Sequence, residues 1–467
     1  MTHNPKALVR RGLGAVATAA AVATALTGCV SGAPPAASDT PSSVTAPYSS
    51  SHPYPDFPQY TKQVHLTWWT WTTNADKVIA AFEKQYPNIT VTAYNPGSGT
   101  PTFTKLKAAL LAGSGAPDVS QLQWPQLPEF VATNKLLDLS PYVNQYKSYF
   151  PDFAWADVTS GSGVYGVPED WGTMGLAYRP DLLQKYGLPV PETQAQFADD
   201  AVKLHAADPS KYMTEFPTNS AGFVMDLLWQ AGINVYQQTG PQSWKISLDT
   251  PQTKAVMDYW GKLIDEHAVL PVASYTPADS QRIANGTYAS YFLPAWGPTY
   301  QLAPNIKPGS QALALTHLPD ITPGVRSNSS DVASINVVPK AAPNPGAAAL
   351  FAAYINLAQP ELQLSAESGP DGGRGLFPSA NARATVDSFN KPSPLFGNTN
   401  VNATYDKLTK DITTSFTWSP WTGFVDSTMA TELTKATSGQ EAFTDVLPNV
   451  QKALVSFAKS QGYTITE

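Results

Sequence analysis

The chain carries a single cysteine, Cys29, and only six histidines in 467 residues. With no second cysteine an intrachain disulfide is excluded, so burial of apolar surface has to hold the fold together. His65, His205 and His267 stand isolated, and the histidines form no metal-ligand cluster. No G-x-S-x-G, H-E-x-x-H or Walker sequence is present. Charge is scarce too: 14% of residues are charged, against roughly 25% in an average soluble protein. The net charge is −7, and phosphate binding needs clustered lysine and arginine, which argues against nucleic acid as a partner. A glycosidase needs two carboxylates across the scissile bond. Glu169 and Asp170 are adjacent, so on a strand they would point to opposite faces. Past the N-terminus there is no second apolar span, no repeat of 20 to 50 residues and no heptad pattern.

What is abundant is proline, 42 residues, and tryptophan, 12 residues. At the N-terminus Lys6, Arg10 and Arg11 form a basic region, followed by the alanine-rich apolar run Gly12 to Thr27. That run is too short and too poor in large side chains for a lasting membrane span and reads as a secretion signal over 1–28. It ends in Leu26-Thr27-Gly28-Cys29, which resembles the bacterial lipobox, whose cysteine is lipidated and becomes the first residue of the exported protein. Arg10-Arg11 leaves the export route open between general and twin-arginine secretion. From Val30 to about Tyr60 the chain is rich in Ser, Thr, Ala and Pro, so residues 29–60 are expected to be a disordered tether.

The body opens with His65-Leu66-Thr67-Trp68-Trp69-Thr70-Trp71, a strand by composition. Thr72 to Asn74 then stand as caps for a helix over 76–86. Ile89 to Tyr94 and Asp118 to Gln121 read as further strands, separated by a helix carrying Leu106, Ala109 and Leu110, which gives a parallel α/β pattern. Ligands of open α/β sheets bind beyond the carboxyl ends of the strands, where Trp71, Asn74, Gln123, Trp124 and Gln126 fall. Helical spacing recurs over 180–186, 194–207, 223–231 and 251–266, marking a second, more helical lobe. A β-branched run over 332–338 and a helix over 347–357 follow, and the tail from Trp418 is helical by pattern.

Taken in order, five regions from residue 62 onward are similar to the extracellular solute-binding proteins of bacterial ABC importers, the sugar-binding type related to maltose-binding protein. They are the tryptophan strand with Ala81 to Val91; Gly113-Ser114-Gly115-Ala116-Pro117-Asp118-Val119; and Tyr165-Gly166-Val167-Pro168 with Leu176 to Leu183. Ile283 to Ser290 with Trp296-Gly297-Pro298, and Asn336-Val337-Val338-Pro339-Lys340 before an alanine-rich helix, complete the set. The resemblance implies two α/β lobes of the periplasmic-binding-protein type II fold with a ligand cleft between them. Residues 61–170 and 315–368 would form one lobe, and 171–314 and 369–467 the other. The crossover would lie near Asp170, with returns near His317 and Gly369. It implies pocket positions at Trp71, Asn74, Gln123, Trp124, Gln126, Asp170, Trp171 and Trp296, and a stacking aromatic at either Trp418 or Trp421. Where maltose binders carry a charged pair after the first strand, this chain has Thr73 and Asn74.

A pyranose offers apolar C–H faces and a rim of hydroxyls, which flat aromatic rings and Asn, Gln and Asp side chains complement in a desolvated cleft. An anionic ligand would want an Arg or Lys clamp, and only Arg374, in the glycine-rich loop 370–375, stands near the predicted site. It could equally brace that loop, and Asp118 could equally be a turn residue. Trp68, Trp69, Trp155, Trp244 and Trp260 are read as packing. The expectation is a monomeric lipoprotein on the outer face of the cell membrane, neither an enzyme nor dependent on a cofactor or metal. It would capture an oligosaccharide and present it to membrane permease subunits. A lipid-anchored polysaccharide enzyme, a glycan-binding adhesion module and a binder of a glycerophosphodiester are the rival readings.

Overall fold

A computed structural model of the protein describes residues 45–307, 309–367, 372–412 and 415–467. The secretion signal with Cys29, the tether up to residue 44 and Pro370-Asp371 of the glycine-rich loop lie outside the described residues.

The apolar, β-branched stretches become strands in chain order. β1 (Val64–Trp69), β2 (Ile89–Tyr94) and β3 (Val119–Gln123) come first, alternating with α1 (Ala75–Gln85) and α2 (Thr100–Ala112). β4 (Val167–Pro168), β5 (Gly172–Tyr178), β6 (Ser290–Pro294), β7 (Ala314–Thr316), β8 (Ser330–Asp331) and β9 (Ser334–Val337) follow. Two sheets share them. The first runs β2-β1-β3-β9-β4, with β2 and β3 parallel to β1 and with β9 antiparallel to both β3 and β4. The second is built on β5, which takes β6, β7 and β8 as antiparallel partners. The return to the first sheet therefore does not occur at residue 315. β7 and β8 still pair with β5, and the chain re-enters the first sheet only at β9.

Each sheet is the heart of one lobe of a two-lobed α/β fold. In the first, Trp68 lies edge-on to Phe351, which also meets Phe82 of α1. Phe351 belongs to α3 (Pro345–Leu357), whose residues from Gly346 to Leu357 are all buried. A helix apolar on every side has no solvent face to offer, and this one is sealed behind the sheet. In the second lobe Trp260, at 1% exposure, packs against Phe197, Phe216 and Phe292. Trp155 and Trp244 are buried as well.

The segment read as a tether is part of the body from Thr45 onward. Phe57 packs on Tyr146 and Tyr354, Tyr48 sits edge-on to Tyr149, and the Tyr54 hydroxyl meets Thr385 Oγ1 at 2.7 Å. Composition averaged over the segment hides these aromatic residues, each of which finds a groove to fill.

Candidate functional site

Three stretches run side by side where the lobes join. The Glu169 and Asp170 amides donate to Ser334 O at 3.0 and 3.4 Å, and the Trp171 amide donates to Phe377 O at 2.9 Å. Asp170 Oδ1 accepts the Ser334 amide at 2.6 Å, while Ser379 Oγ donates to Asp170 O at 2.7 Å. The chain passes this seam again at 377–379, while Gly369, near which a return was expected, lies outside the described residues, and Asp170 is a clasp of this seam. Burial pushes its carboxyl up to about 7, against the amide bond from Ser334 that pulls it down.

Next to the clasp lies a buried polar chain. Gln121 Oε1 accepts from Thr70 Oγ1 at 2.7 Å and from the Trp71 amide at 3.0 Å, and its Nε2 donates to Glu169 Oε2 at 2.8 Å. Glu169 forms an ion pair with Arg374, both side chains fully enclosed. Arg374 also donates to Thr72 Oγ1 at 3.1 Å, Ser365 Oγ at 3.0 Å and Ile355 O at 3.3 Å. Its guanidinium is spent inside the protein, so the expectation that it touches a ligand gives way to the bracing role. Asn74 is also spent. It holds a left-handed φ of 53° at the start of α1, and its Nδ2 donates to Gly373 O at 2.7 Å. It does not cap the helix through its side chain, as the sequence pattern suggested.

Around this seam the tryptophans converge. Trp124, in the turn that follows β3, stacks on Trp171 with centroids 5.9 Å apart and planes at 17°. Its ring also meets Trp229 and Trp418 edge-on, at 6.0 and 5.3 Å. Phe416 joins Trp229 and Trp418 at 5.7 and 5.1 Å, and Phe153 lies 4.3 Å from Trp171. The first lobe, the crossover and the second lobe all contribute rings. The Nε1–H groups of Trp124, Trp171 and Trp418 are buried without a hydrogen-bond partner among the described residues, an arrangement that is costly unless something else accepts them.

Polar groups border the cluster. Asp426 and Trp418 line one small cavity with Tyr236, Ser419 and Thr422. Burial, reinforced by Glu129, pushes Asp426 up to about 7, and the Gln126 amide beside it pulls it back. Gln126 is buried with Oε1 unpartnered, and Gln123 ends β3 half-buried. Trp71 is half-buried on the first lobe with its ring edge-on to Phe103. Trp296 is half-buried on the second, its Nε1–H donating to Val332 O at 3.0 Å. Trp421 is not in the cluster: it packs on Trp244 and Tyr463 within the second lobe. Of the two aromatic candidates near the last helices, only Trp418 reaches Trp124.

The family model of the bacterial extracellular solute-binding proteins matches residues 68–360, well over half of the chain. The chain belongs to this family. An arabinooligosaccharide-binding protein of Halalkalibacterium halodurans is 24% identical over 201 residues, 41% of this chain and 43% of that protein. The chain thus spans about half the length of such curated relatives. Among solved structures, the ABC-transporter-associated binding protein of B. animalis subsp. lactis in complex with β-1,6-galactobiose superposes with a TM-score of 0.76 at 26% identity. That match covers 87% of this chain and all of that one. The galacto-N-biose/lacto-N-biose I-binding protein of Bifidobacterium longum, at 24% identity, shares the fold with a TM-score of 0.77 over 87% of this chain and all of that one.

In this solute-binding protein the sequence reading missed Trp229 and Phe416 of the ring cluster. Trp229 hides in the helix Ala221–Gln230, whose residues are all buried save Gly222. Its spacing is that of a core helix. One signal was legible: Asp226 is the only charged residue in that apolar run, and a buried charge asks for a reason.

Proposed function

We propose that this chain is the lipid-anchored capture component of an ABC importer. It holds an oligosaccharide between its lobes and hands it to a membrane permease. The observation that carries this reading is the ring cluster of Trp124, Trp171, Trp229 and Trp418, drawn from both lobes and the crossover, with the indole N–H groups of Trp124, Trp171 and Trp418 left without an acceptor among the described residues. Rings that part as the lobes open would present flat apolar faces to pyranose C–H groups, and the free N–H groups and Gln126 would meet hydroxyls. Relatives named as arabinooligosaccharide and galactobiose binders support the ligand class, and Leu26-Thr27-Gly28-Cys29 supports the anchor. Binding is non-covalent, the protein acts as a monomer outside the cell membrane, and ATP is consumed by the partner. Ligand shifts the open and closed populations by its preference for the closed cleft.

The test is a thermal-shift screen of residues 45–467 against di- and trisaccharides of several linkages, monosaccharides and glycerophosphodiesters. Saturating ligand at about a hundred times its dissociation constant adds about 2.7 kcal/mol, a visible rise in melting temperature. A rise with one saccharide class and no released product supports the reading. A response to no saccharide, or degradation of one, overturns it.

A further inference from the structure

Beside the ring cluster the two lobes are joined directly by hydrogen bonds. The helix Thr422–Thr437 belongs to the second lobe, where Phe424 stacks on Phe457 at 4.1 Å and Trp421 packs on Trp244. Its first turn lies against the first lobe, on the chain that follows β3. Thr422 Oγ1 donates to Pro125 O at 2.8 Å, and the Gly423 amide donates to Glu129 Oε2 at 3.1 Å. Pro125 is the neighbour of Trp124, and Thr422 stands four residues beyond Trp418, so these bonds flank the contact between those two rings.

The sequence supplies both halves of this contact. A helix leaves its first amides without intrahelical acceptors, and Trp421, at the cap position, makes no side-chain hydrogen bond to them. The acceptor comes from the other lobe instead, as a carboxylate at the positive end of the helix dipole. Lys107 of α2 pairs with Glu129 Oε1 and so leaves Oε2 for Gly423. Only 16% of the Glu129 side chain is exposed, so water competes weakly for that bond. Gly423 keeps the approach clear, since a Cβ at that position would stand 3.3 Å from Oε2. One turn further on, Asp426 meets the Gln126 side chain. Burial and then Glu129 hold its carboxyl at about 7, so below that pH it sets little negative charge against Glu129.

The opening that separates Trp124 from Trp418 also pulls Pro125 from Thr422 and Glu129 from Gly423, because each pair spans the same two lobes. Resting on the oligosaccharide reading above, we infer that Glu129 and Thr422 form a latch between the lobes, a pair of positioning residues that set how fast a captured saccharide leaves. They act through the lobes: the bonds they make favour the closed arrangement, and release of the ligand requires that they break.

The test uses residues 45–467, as wild type and as Glu129→Ala/Thr422→Val, at about pH 6 and at a temperature where circular dichroism shows both folded. Dissociation of the tightest saccharide from the thermal screen is followed by stopped-flow tryptophan fluorescence, and the ligand-free proteins are compared by small-angle X-ray scattering. The double variant should release the saccharide at least about tenfold faster than wild type, the loss expected for a hydrogen bond to a charged group and its neutral companion. A smaller rise overturns the inference and leaves the oligosaccharide reading standing. If no saccharide binds the wild type, that reading falls and scattering alone decides the latch. A larger radius of gyration in the double variant then supports the latch, and an unchanged one overturns it.

Discussion

Arg374 and Glu169 form an ion pair that is wholly enclosed at the junction of the lobes. Removing one partner strands a buried charge, so Arg374→Met should cost about 3–5 kcal/mol, read as a lower denaturant midpoint. The double variant Arg374→Met/Glu169→Gln should recover more than half of that loss, because the stranded charge goes with its partner. Equal loss in single and double variants would show that the packing of Arg374 matters more than its charge.

Trp418 and Trp421 lie three residues apart yet face different neighbours, Trp124 for one and Trp244 with Tyr463 for the other. Trp421→Ala should cost about 3–5 kcal/mol of stability while moving saccharide affinity by less than about threefold. Trp418→Ala should weaken binding at least about tenfold, as loss of a buried aromatic anchor does. Calorimetric titration of both variants, with thermal melts alongside, separates the roles.

The N-terminal strap gives a third prediction. Phe57 is half-buried against Tyr146 and Tyr354, and Pro58 O accepts the Tyr86 hydroxyl at 3.2 Å. A body starting at Thr61 should therefore melt a few degrees below one starting at Thr45, and Phe57→Ala should account for about 1–3 kcal/mol of the difference. Identical melting of the two bodies would restore the whole segment to the role of tether.

Stability should also depend on pH in a defined direction. Asp170 and Asp426 at about 7, Asp331 at about 6 and Glu215 at about 8 all have carboxyls raised by burial. Such groups contribute fully below the unfolded value, about 4, and their contribution is lost as pH rises through 6 to 8. Asp181, held low by the Arg179 guanidinium, and Asp208, held low by the Ser210 and Tyr186 hydroxyls, act the opposite way and lose their contribution as pH falls below about 4. The melting temperature should peak near pH 5 and decline toward pH 8, with Asp226→Asn shallowing the decline. A flat or rising curve between pH 5 and pH 8 would contradict this.

How much of this was legible beforehand follows a physical line. Local periodicity revealed β1, α1, β2 and the helices over 194–207 and 251–265, because their apolar spacing is contained within one turn or one pleat. Where the chain returns to the first sheet was not legible, since Ala314–Thr316 and Ser334–Val337 are equally strand-like and only pairing with β5 or β3 tells them apart. Trp124 was marked as a candidate by its position after a strand end, and Trp171 only by the family resemblance. Trp229 was not, because a tryptophan on a buried helix looks the same whether it faces a core or another lobe. Arg374 looked like a ligand clamp because its partner, Glu169, lies some two hundred residues earlier in the chain.

The central claim is that a saccharide enters between the lobes and is held by the ring cluster around Trp124. Titration of residues 45–467 with the tightest saccharide from the thermal screen, in wild type and in Trp124→Ala, tests it most directly. The account predicts saturable one-to-one binding by the wild type and at least about a tenfold loss in Trp124→Ala at a temperature where both are folded. Affinity kept within about threefold in Trp124→Ala, or no saccharide that saturates the wild type, would contradict it.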